Sequence, residues 1–472
     1  MKNVLILGGG IGGLSAAWML TKKKFDVTVI EKARETGGIC GTFNYKDFRL
    51  DYGPHKFYSV LPGIMKQISS LMGDEFIRHK KRNRIYLFKT FLNYPVKITE
   101  LLLNMGFNNI INCLATSLIA MLSKTGDAHT NDSYENYLKR KFGSRLYEIV
   151  FEPLADKVWG DPSTLSAEMA KTRIPSKSVI ELALRILGLK KESRDTNAEF
   201  FYYPRKGFGR IAARMQEEIL KAGGKILTGS VPVELVNDGK TVREVKIQKG
   251  GSNQTIKSDI LISSIPLKDL VQLLGDDQGP QPKNAFGHVK KLEYRTTFLV
   301  YLVFNQKQIT DQHWIFFPER QVIFSRVFEQ KLMSPEMIPE DKTVLCCDFT
   351  DYPDGPISKK TDRELIQLCI KDLEKIGLIK KENVEHGFIK RFPDFYPRYN
   401  LNYQKNISGI YDSLREYKNL ILTGRLGFYN YNNADHCIDM AGFIAENLAN
   451  GRNPSDICKA LEQRVAGYKI VD

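Results

Sequence analysis

The sequence predicts an α/β fold: a Rossmann-like dinucleotide-binding domain, an antiparallel-sheet domain and a helical insertion. Three observations carry that prediction. Residues 4–7 form a short apolar run that enters Gly8-Gly9-Gly10-Ile11-Gly12-Gly13, continues into a breaker-free helical stretch, and returns through a second apolar run to Glu31, eighteen residues after Gly13. Residues 297–304 and the aromatic runs after them read as strands of a separate sheet. Residues 98–122 are apolar at helical spacing and interrupt the nucleotide fold early.

In chain order, the cradle comes first. Residues 4–7 suit a buried parallel strand and residues 14–20 a helix. Gly8 permits the tight turn, Gly10 lets a pyrophosphate approach the backbone, and Gly13, next to Gly12, lets the helix pack closely on the strand. Phosphates then meet the N–H groups of a helix N-terminus. Glu31 accepts from ribose hydroxyls and repels a 2′-phosphate. Glycines alone describe any glycine-rich loop; strand, glycines, helix, strand and acid in register point to a nucleotide.

Arg34, Gly37-Gly38 and Thr42 continue the loop, and Asp51-Tyr52-Gly53-Pro54-His55 follows. On these residues the chain resembles the flavin amine oxidase superfamily, which includes protoporphyrinogen oxidases, phytoene desaturase-like enzymes and UDP-galactopyranose mutases. The resemblance implies a two-dinucleotide-binding-domain flavoprotein holding FAD non-covalently. Glu31 and Lys32 would lie at the adenosine ribose, and Gly37 and Gly38 beside the diphosphate. NAD is the alternative ligand, although a simple NAD dehydrogenase is not expected to carry Gly37-Gly38.

The insertion opens with a hairpin over residues 84–96, followed by helices. Phe107, Ile110, Ile111, Leu114, Leu118, Ile119, Met121 and Leu122 form an apolar stripe expected to be core. Trp159, in Lys157-Val158-Trp159-Gly160, reads from residues alone as a core tryptophan beside a turn. With the later Arg173-Ile174-Pro175 it resembles a mutase segment, which implies Trp159 in a substrate cleft. Ser176-Lys177 stands where the mutases place an arginine, and a lysine lacks the forked geometry of a guanidinium.

The nucleotide fold resumes near residue 200 with a helix over 210–221 and strands at 225–227 and 231–235, then a turn at Asn237-Asp238-Gly239. The resemblance implies that backbone near Val233 meets the adenine. Residues 314–317 and 321–324 read as a hairpin around Pro318-Glu319-Arg320. Arg326 follows; it reads equally as a salt-bridged surface arginine and, by resemblance, as one facing the flavin. After the strand at 419–423, the run Gly424-Arg425-Leu426 with Tyr429, Tyr431 and Asp435 resembles the mutase signature. This implies Gly424, Arg425 and Asp435 at the flavin, and tyrosines at substrate phosphates. The expected domains are 1–85, 200–286 and 411–472 for the FAD-binding domain, 86–199 for the helical insertion and 287–410 for the substrate domain.

Seven scattered cysteines without a CxxC pair argue against a disulfide framework or a metal site and for a reducing cytoplasm. No run of about twenty apolar residues predicts a membrane span. The net charge of +15 has no nucleic-acid signature beside it. A solvated basic surface explains it, and peripheral contact with an anionic membrane is the next expectation. Oligomeric state is not legible. The resemblance implies an FAD-dependent oxidoreductase of the protoporphyrinogen oxidase or desaturase kind. It would remove hydride from a largely apolar or lipid-linked small molecule, with His55, Arg326 and Tyr429 as catalytic candidates and Trp159 and Tyr431 against the substrate. The alternatives are a non-redox sugar-nucleotide mutase and, last, an escort-type binding protein.

Overall fold

The computed structural model describes residues 2–96, 98–122, 132–173, 199–275 and 285–470. The strand Asn3–Leu7 lies at the centre of a five-stranded parallel sheet, in the order Leu420–Leu422, Ile260–Ser263, Asn3–Leu7, Asp26–Ile30, Lys225–Leu227. Apolar runs suit this position because a parallel sheet is covered on both faces. The helix Ile11–Lys22 provides cover here, packed against Ala434–Ala449 and Arg210–Lys221. The strands therefore come from three separated stretches of chain. An antiparallel meander of Ser230–Asn237, Val242–Lys249 and Ser252–Lys257 stands beside Glu31.

The second large sheet has seven strands, with Glu293–Phe304 between Val384–Arg398 and Thr343–Asp351. Its far edge is the hairpin Asn83–Leu87 and Thr90–Asn93, which joins through a parallel pairing with Trp314–Phe316. The hairpin expected between residues 314–317 and 321–324 does not form. Trp314–Phe316 pairs instead with Arg326–Glu329. Residues 318–324 form a loop whose ends are tied from outside: Lys157 Nζ donates to the Phe317 and Phe324 carbonyls at 2.8 and 3.0 Å, and the two rings pack edge-on at 4.8 Å. Burial lowers Lys157 to about 7.

The helix Phe107–Leu122 overturns the expectation that its apolar stripe is core. Phe107 is 75% exposed, Leu114 67% and Leu122 74%. The reason lies in what the helix packs with. Its small and polar face is the one that is held: Ser117 Oγ donates to the Phe142 carbonyl at 2.8 Å, and Arg145 Nη2 to Asn109 Oδ1 at 2.8 Å. Gly143 allows this approach, since a Cβ there would lie 2.7 Å from Ser117 N. The apolar side is left outward. No single helix among the described residues is long and apolar enough to cross a membrane; Thr99–Met105 and Phe107–Leu122 pass that test only as a pair, bent by 116°.

Candidate active site

The turn after Asn3–Leu7 consists of glycine because side chains would collide. Gly8 has φ +97° and a Cβ there would lie 2.5 Å from Ser264 Oγ; one on Gly13 would lie 1.9 Å from the Gly8 carbonyl oxygen. Gly10 differs, for the nearest protein atom to its added Cβ is Gly38 Cα at 4.0 Å. Gly10 caps Ile11–Lys22 and brings no side chain to compete for the first N–H groups of that helix, which suits an incoming phosphate. The Gly37 N–H donates to the Gly9 carbonyl at 2.8 Å and so sets Gly38 opposite Gly10. Glu31 accepts from the Gly9 N–H at 2.6 Å and the Ala33 N–H at 2.7 Å. These bonds orient the carboxylate and leave lone pairs for ribose hydroxyls. Lys32 is exposed beside it. The Ser230 N–H donates to the Glu31 carbonyl at 3.0 Å, and Val233, 48% exposed, bulges out of register further along that strand.

The C-terminal segment closes on the same turn. An added Cβ on Gly12 would lie 2.9 Å from Gly424 Cα, so these two stretches touch backbone to backbone. Arg425 follows, its Nε donating to the Asn432 carbonyl at 2.8 Å. Asp435, buried at the start of Ala434–Ala449, accepts from Ser59 Oγ at 2.7 Å. That bond ties the helix to the loop carrying His55. The His55 ring stacks on Phe208 at 4.8 Å, and its buried Nδ1 has no partner. Burial lowers His55 to about 3, and Arg425 and Arg326 add repulsion; the imidazole is neutral at physiological pH. Arg326 is ion-paired with Asp348 through Nε at 3.0 Å and Nη2 at 2.6 Å. Arg326 and Arg425 both depress His55 by repulsion, which sets the three residues in one neighbourhood.

Beneath the His55 loop, buried Asp51 accepts from Thr42 Oγ1 at 2.5 Å, the Phe208 N–H at 3.0 Å and the Tyr203 hydroxyl. Burial raises its carboxyl to about 6 against the pull of these donors.

Beyond Arg425 lies a wall of cations and rings. Arg173 sits between Trp159 and Tyr431, its Cζ 4.9 and 4.7 Å from the two ring centres. Tyr431 stacks on Tyr396 at 5.7 Å, and Arg425 lies 5.7 Å from the Tyr396 ring. Trp159 Nε1, Arg173 Nε, Arg295 Nη1 and the Tyr431 hydroxyl are all buried and without a protein partner. Burial raises the Tyr431 hydroxyl, whereas Arg173, Arg425 and Arg295 pull it down. Buried polar atoms are normally satisfied, and four donors left so on one wall fit a ligand rich in acceptors.

Tyr429 is placed differently from its expected catalytic position. Its hydroxyl accepts from the Glu293 N–H at 3.1 Å and lies against the Glu293 and Arg398 carbonyls, 2.8 Å from the latter. It fastens the last segment to the second sheet and leaves Tyr431, two residues on, to join the wall with Arg173 and Tyr396. A separate cleft of about 1210 Å³ opens between the meander and Tyr294, lined by Asn237, Lys268 and Asp394 among others, and holds neither the cradle glycines nor His55.

Comparison with known proteins agrees with this geometry. The family described as flavin containing amine oxidoreductase matches residues 11–429. The chain belongs to that family. Among curated relatives, coproporphyrinogen III oxidase of Staphylococcus aureus is 22% identical over 90% of this chain and 94% of its own. Among solved structures, reduced UDP-galactopyranose mutase superposes with a TM-score of 0.84 at 18% identity, covering 100% of both chains. A putative protoporphyrinogen oxidase from Exiguobacterium gives 0.71 at 19%, covering 96% and 99%. The chain is thus a flavin-dependent oxidoreductase by family, with the mixed α/β fold of that group.

The residues present fit a flavin nucleotide. The open space before Gly10 and the oriented Glu31 carboxylate suit a nucleotide's phosphates and ribose, and the unpartnered Nδ1 of buried His55 is a polar group left for a ligand. Sequence reasoning missed Arg173 as a site residue, although its motif was visible, and it missed Arg295 and Tyr396, which the sheet pairs in register. Lys177, with Ile174, Pro175 and Ser176, lies outside the described residues.

Proposed function

We propose that the chain is an FAD-dependent oxidoreductase that holds its FAD non-covalently and removes hydride from a largely apolar or lipid-linked small molecule bearing an anionic group. The observation that carries this reading is the meeting, at Arg425, of the open glycine cradle with the wall of Arg173, Arg295, Trp159 and Tyr431. The flavin supplies the hydride acceptor. The chain's own groups orient and exclude: neutral His55 offers a proton-accepting or donating nitrogen without adding charge, and the arginines hold the substrate's anionic end through geometry that guanidinium suits. The N-terminus of Ala434–Ala449 favours negative charge near it. Non-covalent binding is supported by the cysteines near Arg425. Burial pushes the Cys40 thiol up to about 11 and Cys437 up to about 12, so neither presents the thiolate that a covalent link needs.

One observation favours a second reading. Four unpartnered donors, one of them on the guanidinium held between two rings, also suit the diphosphate of a sugar nucleotide, on which a prereduced flavin would act without net redox change. Assay of oxidised and dithionite-reduced enzyme with apolar donors and UDP-sugars separates the two. Turnover of an apolar donor with an electron acceptor is expected; isomerisation of a nucleotide sugar by reduced enzyme alone would replace the first reading with the second. Acid precipitation tests the linkage: the yellow colour should remain in the supernatant, and colour in the pellet would refute non-covalent FAD.

A further inference from the structure

Most of the molecule hides its large apolar side chains, but one place does the opposite. Of the thirteen most exposed large hydrophobics among the described residues, nine lie on Ile98–Met105 and Phe107–Leu122: Leu102, Leu103, Phe107, Ile111, Leu114, Leu118, Ile119, Met121 and Leu122. Phe107–Leu122 has no charged residue in its sixteen. An exposed apolar surface of this kind marks an interaction site. It is not an accident of loose packing, because the polar face of the same helix is fastened inward through Ser117 and Asn109.

Charge decides the partner. From residue 76 to residue 122 the chain carries seven Lys or Arg and one carboxylate, Glu100, and that carboxylate is engaged by Asn93 at 2.6 Å. Arg78, Lys80, Arg82 and Lys89 are exposed, and Lys81 Nζ lies 5.8 Å from the Tyr94 ring at the root of the helix pair. A second copy docking on the same face would bring this basic stretch against itself. An anionic bilayer neutralises it instead, while the bent pair lays its apolar surface among the acyl chains without spanning them. We propose that residues 98–122 form a monotopic docking surface for anionic lipid bilayers. The proposal rests on the surface alone and is independent of the redox reading.

The test uses the full-length flavin-loaded protein and sedimentation with vesicles of phosphatidylglycerol and phosphatidylcholine, or phosphatidylcholine alone. Binding at low salt is expected to be at least tenfold stronger to the anionic vesicles and to weaken at high salt. Leu103→Gln/Phe107→Gln/Leu114→Gln/Leu118→Gln should lower it at least tenfold while retaining flavin absorbance. As a second readout, Phe107→Trp should show blue-shifted fluorescence quenched by brominated lipid. Failure of the wild type to sediment with either vesicle, full binding by the quadruple variant, or an unquenched Trp at position 107 would each overturn the proposal. So would a dimer in light scattering that the quadruple variant abolishes without any vesicle binding, which would assign the face to a second copy.

Discussion

The helices Ile11–Lys22 and Phe107–Leu122 are built from similar residues, mostly apolar or small, with no charge before the last position of the first and none in the second. Their fates are opposite. In the first, every residue from Ile11 to Thr21 is buried; in the second, only Ser117 is. Gly12 and Gly13 let the first helix touch backbone at Gly424 and Gly8, so two further helices and a sheet close round it. Among the described residues the second meets its neighbours along the strip of Asn109, Cys113, Thr116 and Ser117. Composition says that a helix is apolar. Small residues in the right places say whether other elements can reach it.

Three measurements sharpen or break this contrast. The largest effect is expected at Gly10→Val. A side chain there meets no protein atom closer than 4.0 Å at Cβ and enters the space left for phosphate, so the protein should fold and be purified colourless; stoichiometric flavin in this variant would contradict the cradle. Next, Leu14→Ala in the buried helix should cost about 2–5 kcal/mol in urea unfolding. Leu114→Ala in the exposed one should stay within about 0.5 kcal/mol. Equal losses at the two positions would mean that the outward face of Phe107–Leu122 is covered in solution.

The third measurement concerns the Asp51 knot under the His55 loop. Its carboxyl is raised to about 6 in the fold from an ordinary value of about 3.9. The folded protein therefore binds that proton more tightly than the unfolded chain. The stability it contributes is complete below about pH 4 and is lost as pH rises through about 6, on the order of 2–3 kcal/mol. The stability difference between wild type and Asp51→Asn should shrink by that amount between pH 4 and pH 7. A difference independent of pH would show that Asp51 is not protonated preferentially in the fold.

What the sequence determined by itself is local. The parallel strand, the glycine turn, the helix and Glu31 all fall within thirty-one residues, and each has a backbone or spacing requirement that only a few residue types meet. The final Gly424 turn was legible for the same reason. Tertiary structure decided the rest. Arg173, Arg295, Tyr396 and Tyr431 come from four separated stretches, and Arg295 and Tyr396 meet because the sheet pairs their strands in register. Tyr429 and Tyr431 share one short motif in sequence; one is consumed by the backbone around Glu293 and the other packs with Arg173 and Tyr396, because the chain between them is irregular, with Tyr429 at φ +45°. The loop over residues 318–324 replaced a predicted hairpin because a distant lysine, Lys157, supplies donors to the carbonyls at its ends. The exposure of Phe107–Leu122 was decided the same way. Periodicity shows that a helix has two faces, and only the elements that pack with it determine which face is turned to solvent.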